Sequence, residues 1–123
     1  MKTVLIVEDS ETCAETLQIA LEAIPDLKTM VLRNPCAAMT ALRNADNDIA
    51  ALVTDLHLPE HDGFELIRQI RAERGFEQLP VLLISGDSDP RLPQRALAHG
   101  ANAFFSKPYS PAAVRRKLEQ LLC

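Results

Sequence analysis

Short apolar runs rich in β-branched residues recur at Thr3–Val7, Lys28–Leu32, Ile49–Thr54, Pro80–Ile84 and Ala103–Phe105, each bounded by polar, Gly or Pro residues. They predict five strands. Between and after them, apolar positions return with helical spacing in Glu11–Ile24, Cys36–Asn44, Gly63–Arg74, Pro90–His99 and Ala112–Leu121, which predicts five helices with one buried stripe each. Alternation of this kind requires right-handed crossovers, and these give a parallel sheet covered by helices on both faces. Strands buried on both faces read as nearly continuous apolar runs, as the first, third and fourth do here. The expected fold is therefore an α/β, doubly wound (βα)5 sheet of strand order 2-1-3-4-5. An eight-unit barrel needs about twice the length.

Boundary residues agree with these elements. Ser10 and Ser110 stand where helix N-caps belong, followed by Glu11 and Pro111 in the first turn, and Gly75 and Gly100 stand where helices should stop. Pro90 and Pro93 crowd the start of the fourth helix and predict a late or distorted first turn.

Composition narrows the function. The 123 residues suit one domain spanning 1–123 with its own core, and the 47% hydrophobic content suits a globular chain. Thirteen basic against 17 acidic side chains leave a net charge of −4, which offers no footprint for nucleic acid or an anionic membrane. Cys13, Cys36 and Cys123 are scattered and odd in number, so they read as reduced thiols of a cytoplasmic protein rather than as a zinc site or a disulfide framework. The run Val4–Val7 is too short for a signal-peptide core, and no stretch has the length of a membrane span.

The chemistry collects where open α/β sheets bind ligands, at the carboxyl ends of the strands. Glu8 and Asp9 follow the first strand, Asp55 the third, Ser85 the fourth and Lys107 the fifth. Three carboxylates at one rim repel one another and call for a cation; hard oxygen ligands favour Mg²⁺, with Mn²⁺ as a substitute. A carboxylate beside such a metal and a lysine can act as a nucleophile toward phosphorus, and a neighbouring hydroxyl can hydrogen-bond a phosphoryl oxygen.

Taken together, Val4-Leu5-Ile6-Val7-Glu8-Asp9-Ser10, Thr54-Asp55-Leu56-His57-Leu58-Pro59-Glu60-His61-Asp62-Gly63, Val81-Leu82-Leu83-Ile84-Ser85-Gly86 and Gly100-Ala101-Asn102-Ala103-Phe104-Phe105-Ser106-Lys107-Pro108 resemble the receiver domain of bacterial response regulators, along essentially the whole chain. The resemblance implies a CheY-like, flavodoxin-like fold and a phosphorylation switch of a two-component phosphorelay, not a turnover enzyme. It implies Asp55 as phosphoacceptor, Mg²⁺ on Asp9, Asp55 and the backbone carbonyl of His57 with help from Glu8, and Lys107 on the phosphoryl group. Ser85 and Phe104 take the switch positions, and Lys107-Pro108 the family's cis peptide.

The implied phosphodonor is a sensor histidine kinase or histidine phosphotransfer protein. The implied reader is a downstream protein or an output domain, docking on the surface of the fourth helix, fifth strand and fifth helix, whose Arg115-Arg116-Lys117 run otherwise reads as a solvated face. The domain is then a monomer or a weak phosphorylation-dependent dimer, either a free-standing receiver or part of a longer chain.

Each residue also has a plainer reading. Asp55 alone would be a turn carboxylate, Ser85 a turn former, Lys107 a surface lysine and Phe104 a core aromatic. His57 is first a backbone contributor, although its side chain and that of Asp87 are placed to flank the site entrance and to govern the access of water. A haloacid-dehalogenase-type phosphatase places a second Asp two residues after its nucleophile, where this chain has His57. A flavin-binding module sets no carboxylates such as Glu8 and Asp9 against its phosphate. A receiver that docks without phosphorylation would have lost charged site residues, and none is missing.

Overall fold

The computed structural model describes residues 1–122; Cys123 lies outside them. Five strands, β1 (Lys2–Val7), β2 (Leu27–Leu32), β3 (Ile49–Asp55), β4 (Val81–Ser85) and β5 (Ala103–Ser106), form one parallel sheet in the order β2-β1-β3-β4-β5. This is the expected 2-1-3-4-5 arrangement. Helices α1 (Glu11–Leu21), α2 (Pro35–Arg43), α3 (Gly63–Ala72), α4 (Leu92–Ala98) and α5 (Pro111–Leu122) follow the strands in turn. A 3-10 turn at Ala45–Asn47 precedes β3, and a two-residue antiparallel ladder, His57–Leu58 against His61–Asp62, lies between β3 and α3.

The period-2 alternation of the strands divides the core in two. Val4, Ile6, Ala51, Val53, Leu82 and Ile84 pack with Leu17 and Leu21 of α1 and with Val114 and Leu118 of α5. Leu5, Val7, Leu52, Val81 and Leu83 pack on the opposite face against α2, α3 and α4 through Leu42, Ile67, Ile70, Leu92 and Ala96. Burying a Leu, Ile or Val side chain fully contributes about 1.5–3 kcal/mol, so these two layers dominate the stability of the fold.

Local chemistry sets where the helices begin. Ser10 Oγ accepts from Cys13 N at 3.4 Å, Asn34 Oδ1 from Ala37 N at 2.8 Å, Asp62 Oδ1 from Phe64 N at 2.7 Å and Ser110 Oγ from Ala113 N at 3.2 Å. Helix α4 has no such side-chain cap and starts only at Leu92, with Pro93 in its first turn and Pro90 left outside. Helix α1 stops at Leu21 rather than Ile24, because Pro25 disfavours helical backbone at the residue before it. Helix α3 likewise ends at Ala72, two residues short of Arg74. Among the described residues Cys13 and Cys36 are free, and no helix is long and apolar enough to cross a membrane.

Candidate functional site

Strands β3, β4 and β5 each run one residue beyond the apolar runs of the sequence, to Asp55, Ser85 and Ser106, so pairing reaches the rim where the polar groups stand. Glu8, Asp55 and Lys107 continue the alternation of Val4–Ile6, Ala51–Val53 and Ala103–Phe105, on the face covered by α1 and α5. Ser85 and Phe104 continue the other alternation with Leu83, on the α4 face.

The Lys107 ammonium donates to Asp55 Oδ2 at 2.7 Å and to Glu8 Oε1 at 3.4 Å, joining positions 99 and 52 residues apart in sequence. His57 N donates to Asp55 Oδ1 at 3.2 Å. One oxygen from each of Glu8, Asp9 and Asp55 lies within 4.8 Å of the others; Glu8 and Asp55 are buried, and Asp9 is exposed. The peptide Lys107-Pro108 is cis, as the resemblance implies.

Crowding leaves its mark on the titration of these groups. Burial, then the hydrogen bond and charge of Asp55, push the Glu8 carboxyl up to about 7 against the opposing pull of Lys107. Burial works against the Lys107 ammonium, but the hydrogen bond and charge of Asp55, with the charge of Glu8, more than offset it and hold its pKa above that of an ordinary lysine. Glu8 Oε2 is buried with no hydrogen-bond partner. A buried carboxylate oxygen without a partner, in an all-oxygen group of three acids, fits a hard divalent cation of the Mg²⁺ type.

At the end of β4, the fully buried Ser85 hydroxyl accepts from Asp87 N at 3.0 Å. His57 Nε2 lies 3.2 Å from Asp87 Oδ2, and both side chains are exposed. The N–H of Asp89, and then His57, hold the Asp87 carboxyl below its usual range. Phe104 is half-buried and packs against the α4-side core.

Several neighbours escape sequence reasoning. Cys13, Thr16, Pro108 and Tyr109 line an apolar pocket of about 430 Å³ beside Lys107, for which the only sequence signal is the i, i+4 spacing of Thr12 and Thr16. A Cβ on Gly63 would lie 2.7 Å from the carbonyl oxygen of Asp55 and 2.9 Å from Cα of Leu56, so the N-terminus of α3 abuts the backbone of the site. Asp89 extends the turn chain from Ser85: Asp87 Oδ1 accepts from Asp89 N at 3.0 Å, and Asp89 Oδ1 from Arg91 N at 2.9 Å.

Fold and site together define a doubly wound α/β protein with an acidic, lysine-bridged pocket at the carboxyl end of its sheet. The profile of the response regulator receiver domain matches residues 4–119, and the chain belongs to that family, the CheY-like receivers of two-component signalling. It is 28% identical over 118 residues to a chemotaxis protein CheY homolog of Campylobacter jejuni, covering 96% of this chain and 90% of that protein. The signal receiver domain of a signal transduction histidine kinase from Syntrophus aciditrophicus superimposes with a TM-score of 0.83 at 33% identity, covering 98% of this chain and 89% of that one. The chemotaxis response regulator CheY4 of Vibrio cholerae shares the fold, with a TM-score of 0.85 at 22% identity over 99% of both chains.

Proposed function

We propose that this chain is a phosphorylation-dependent switch that takes a phosphoryl group onto Asp55 from a histidine kinase or histidine phosphotransfer protein. The observation that carries the reading is the pairing of Lys107 Nζ with Asp55 Oδ2 at 2.7 Å beside the unpartnered Glu8 Oε2. Glu8, Asp9, Asp55 and the backbone carbonyl of His57 are the groups that would hold Mg²⁺ or Mn²⁺. The ion supplies charge compensation for the phosphoryl oxygens.

In the transfer, a carboxylate oxygen of Asp55 forms the new bond to phosphorus as the P–N bond to the donor imidazole breaks, and the imidazole leaves with the electron pair and a proton from solvent. Lys107, which donates to Asp55 Oδ2, also pairs with the incoming phosphoryl oxygens. The Ser85 hydroxyl donates to one of those oxygens while its lone pair still accepts from Asp87 N. The phosphoryl group adds charge that draws Ser85 and Lys107 inward, and Phe104, which shares the Ser85 face, repacks under α4. The downstream partner reads the surface of α4, β5 and α5, and residues 1–123 form one receiver unit. His57 and Asp87 close the entrance to water and set how long the phosphoryl group survives.

Intact mass after incubation with Mg²⁺ and acetyl phosphate tests the reading. A labile single-phosphate adduct is expected for the wild type and none for Asp55→Asn or after chelation. If neither the adduct nor binding of the beryllofluoride mimic appears in the folded protein, the reading is wrong.

A further inference from the structure

Helix α4 is held very differently at its two ends. At the C-terminal end, the Arg71 guanidinium of α3 donates to the Gly100 carbonyl through Nη2 at 2.7 Å and Nε at 3.2 Å. It also donates to the Phe76 carbonyl at 3.2 Å and to Asn102 Oδ1 at 3.2 Å. Asn102 in turn ties this turn to β4: its Oδ1 accepts from Val81 N at 2.9 Å, and its N–H donates to Val81 O at 2.7 Å. Phe64 of α3 stacks on His99 with ring centroids 4.2 Å apart, and Arg95 sits 5.0 Å over the same ring. Gly100 has φ +104°, which favours glycine, and a Cβ there would lie 3.2 Å from Arg71 Nε, a tight contact.

The N-terminal end has no comparable polar anchor, although Leu92 there is buried in the core. Residues 86–91 are joined by short local turns, from Ser85 Oγ to Asp87 N, from Asp87 Oδ1 to Asp89 N and from Asp89 Oδ1 to Arg91 N. Their side-chain link to the rest of the molecule is the exposed pair of Asp87 with His57, and α4 itself lacks a capping side chain. One end is bolted to α3 and β4 by a partly buried, multiply bonded guanidinium, and the other, where Leu92 is buried in the core, is joined to β4 by the turn that starts at the Ser85 hydroxyl.

We propose that Arg71 is a positioning residue that pins the C-terminal end of α4, so that α4 answers phosphorylation as a lever moved from its N-terminal end. The proposal rests on Asp55 and Ser85 acting as described under Proposed function. With a fixed end, an ångström-scale shift of Ser85 passes through Asp87, Asp89 and Arg91 to Leu92 and turns the helix about Gly100. Without it, the same shift dissipates as a slide of the whole helix, because packed elements move between discrete arrangements rather than bending continuously. Arg71 lies at the far end of α3 from Gly63 and touches none of the groups at the phosphorylation site.

The test is amide hydrogen exchange and chemical-shift change, read by NMR on the full chain with and without Mg²⁺ and beryllofluoride. In the wild type, changes are expected across residues 86–92, with Ala101 and Asn102 still protected. In Arg71→Met, Asp55 should still be phosphorylated by acetyl phosphate as in the wild type, but exchange at Ala101 and Asn102 should quicken by about tenfold and the beryllofluoride response should spread through residues 97–102. Arg71→Lys, which can still donate to the Gly100 carbonyl, should recover the wild-type pattern. A merely structural arginine would lower stability in both states and leave the response where it was.

Equal wild-type responses at both ends of α4 would overturn the pin alone. No response anywhere with beryllofluoride bound would overturn the switch reading along with it. Should Arg71→Met fail to fold, the wild-type comparison and Arg71→Lys still decide.

Discussion

Asp87 makes three contacts with three different consequences: its N–H engages the Ser85 hydroxyl, Oδ2 meets His57 and Oδ1 caps the Asp89 N–H. An exposed pair such as His57–Asp87 contributes little to stability, and the role proposed for it is control of access to the site. Hydrolysis of an acyl phosphate on Asp55 would need a water in line with it, and in the proposed function both side chains limit that approach. We therefore expect His57→Ala and Asp87→Ala each to shorten the life of the phosphorylated protein several-fold, with the double variant little faster than either single one, because they remove one shared contact. Decay of the phosphorylated mass after removal of acetyl phosphate measures it, and unchanged rates in both single variants would refute the role.

Among the elements, α3 shows how tightly the site is built into the fold. Its first residue, Gly63, donates to the Leu56 carbonyl at 2.7 Å, and there is no room for a Cβ against the backbone of Asp55 and Leu56. Gly63→Ala must push backbone rather than a side chain, so it should cost about 1–3 kcal/mol in urea unfolding and slow phosphorylation of Asp55 as well. An Ala variant with wild-type stability and rate would mean that α3 can retreat without disturbing the site.

The spacing of apolar residues placed the five helices because each carries a buried stripe, but it could not place their ends. Those depend on single hydrogen bonds, such as Asp62 to Phe64 N, and on prolines whose effect differs by position: Pro93 is accepted in the first turn of α4, whereas Pro90 is not included. The candidate site was legible because its residues follow directly on the apolar runs. That Asp55 and Lys107 reach one rim was legible too, from the strand ends; that they touch directly, 52 positions apart, was not. Nor was Arg71, whose partners, apart from Asn102 Oδ1, are backbone carbonyls that have no signature in sequence.

At the scale of the molecule, protonation of the acidic pocket bears on stability, and the proposed Mg²⁺ site adds a second linkage. A Glu8 carboxyl raised to about 7 from an ordinary value of 4.5 favours the folded state while protonated. That contribution is fully present below the unfolded value and is lost as pH rises through the folded one. The metal-free protein should accordingly lose stability between those two values, and Mg²⁺, which binds the ionised form of the folded chain, should restore it. The gain in thermal midpoint on adding Mg²⁺ is expected to be larger at about pH 8 than at about pH 5.5. An equal gain at both would show that Glu8 takes no part in holding the ion.

The sheet order was legible at this scale because handedness and alternation leave few ways to connect five βα units. The division of labour between its faces follows from strand parity, which becomes visible only once the register is known. Glu8, Asp55 and Lys107 rise from the side packed by α1 and α5, while Ser85 and Phe104 belong to the side packed by α4. The sheet thus divides the candidate site itself, with its carboxylates and lysine rooted over one core and its hydroxyl over the other. Repacking under α1 and α5 bears on the first group and repacking under α4 on the second, so the two halves of one small pocket can be tuned separately by substitutions far from it.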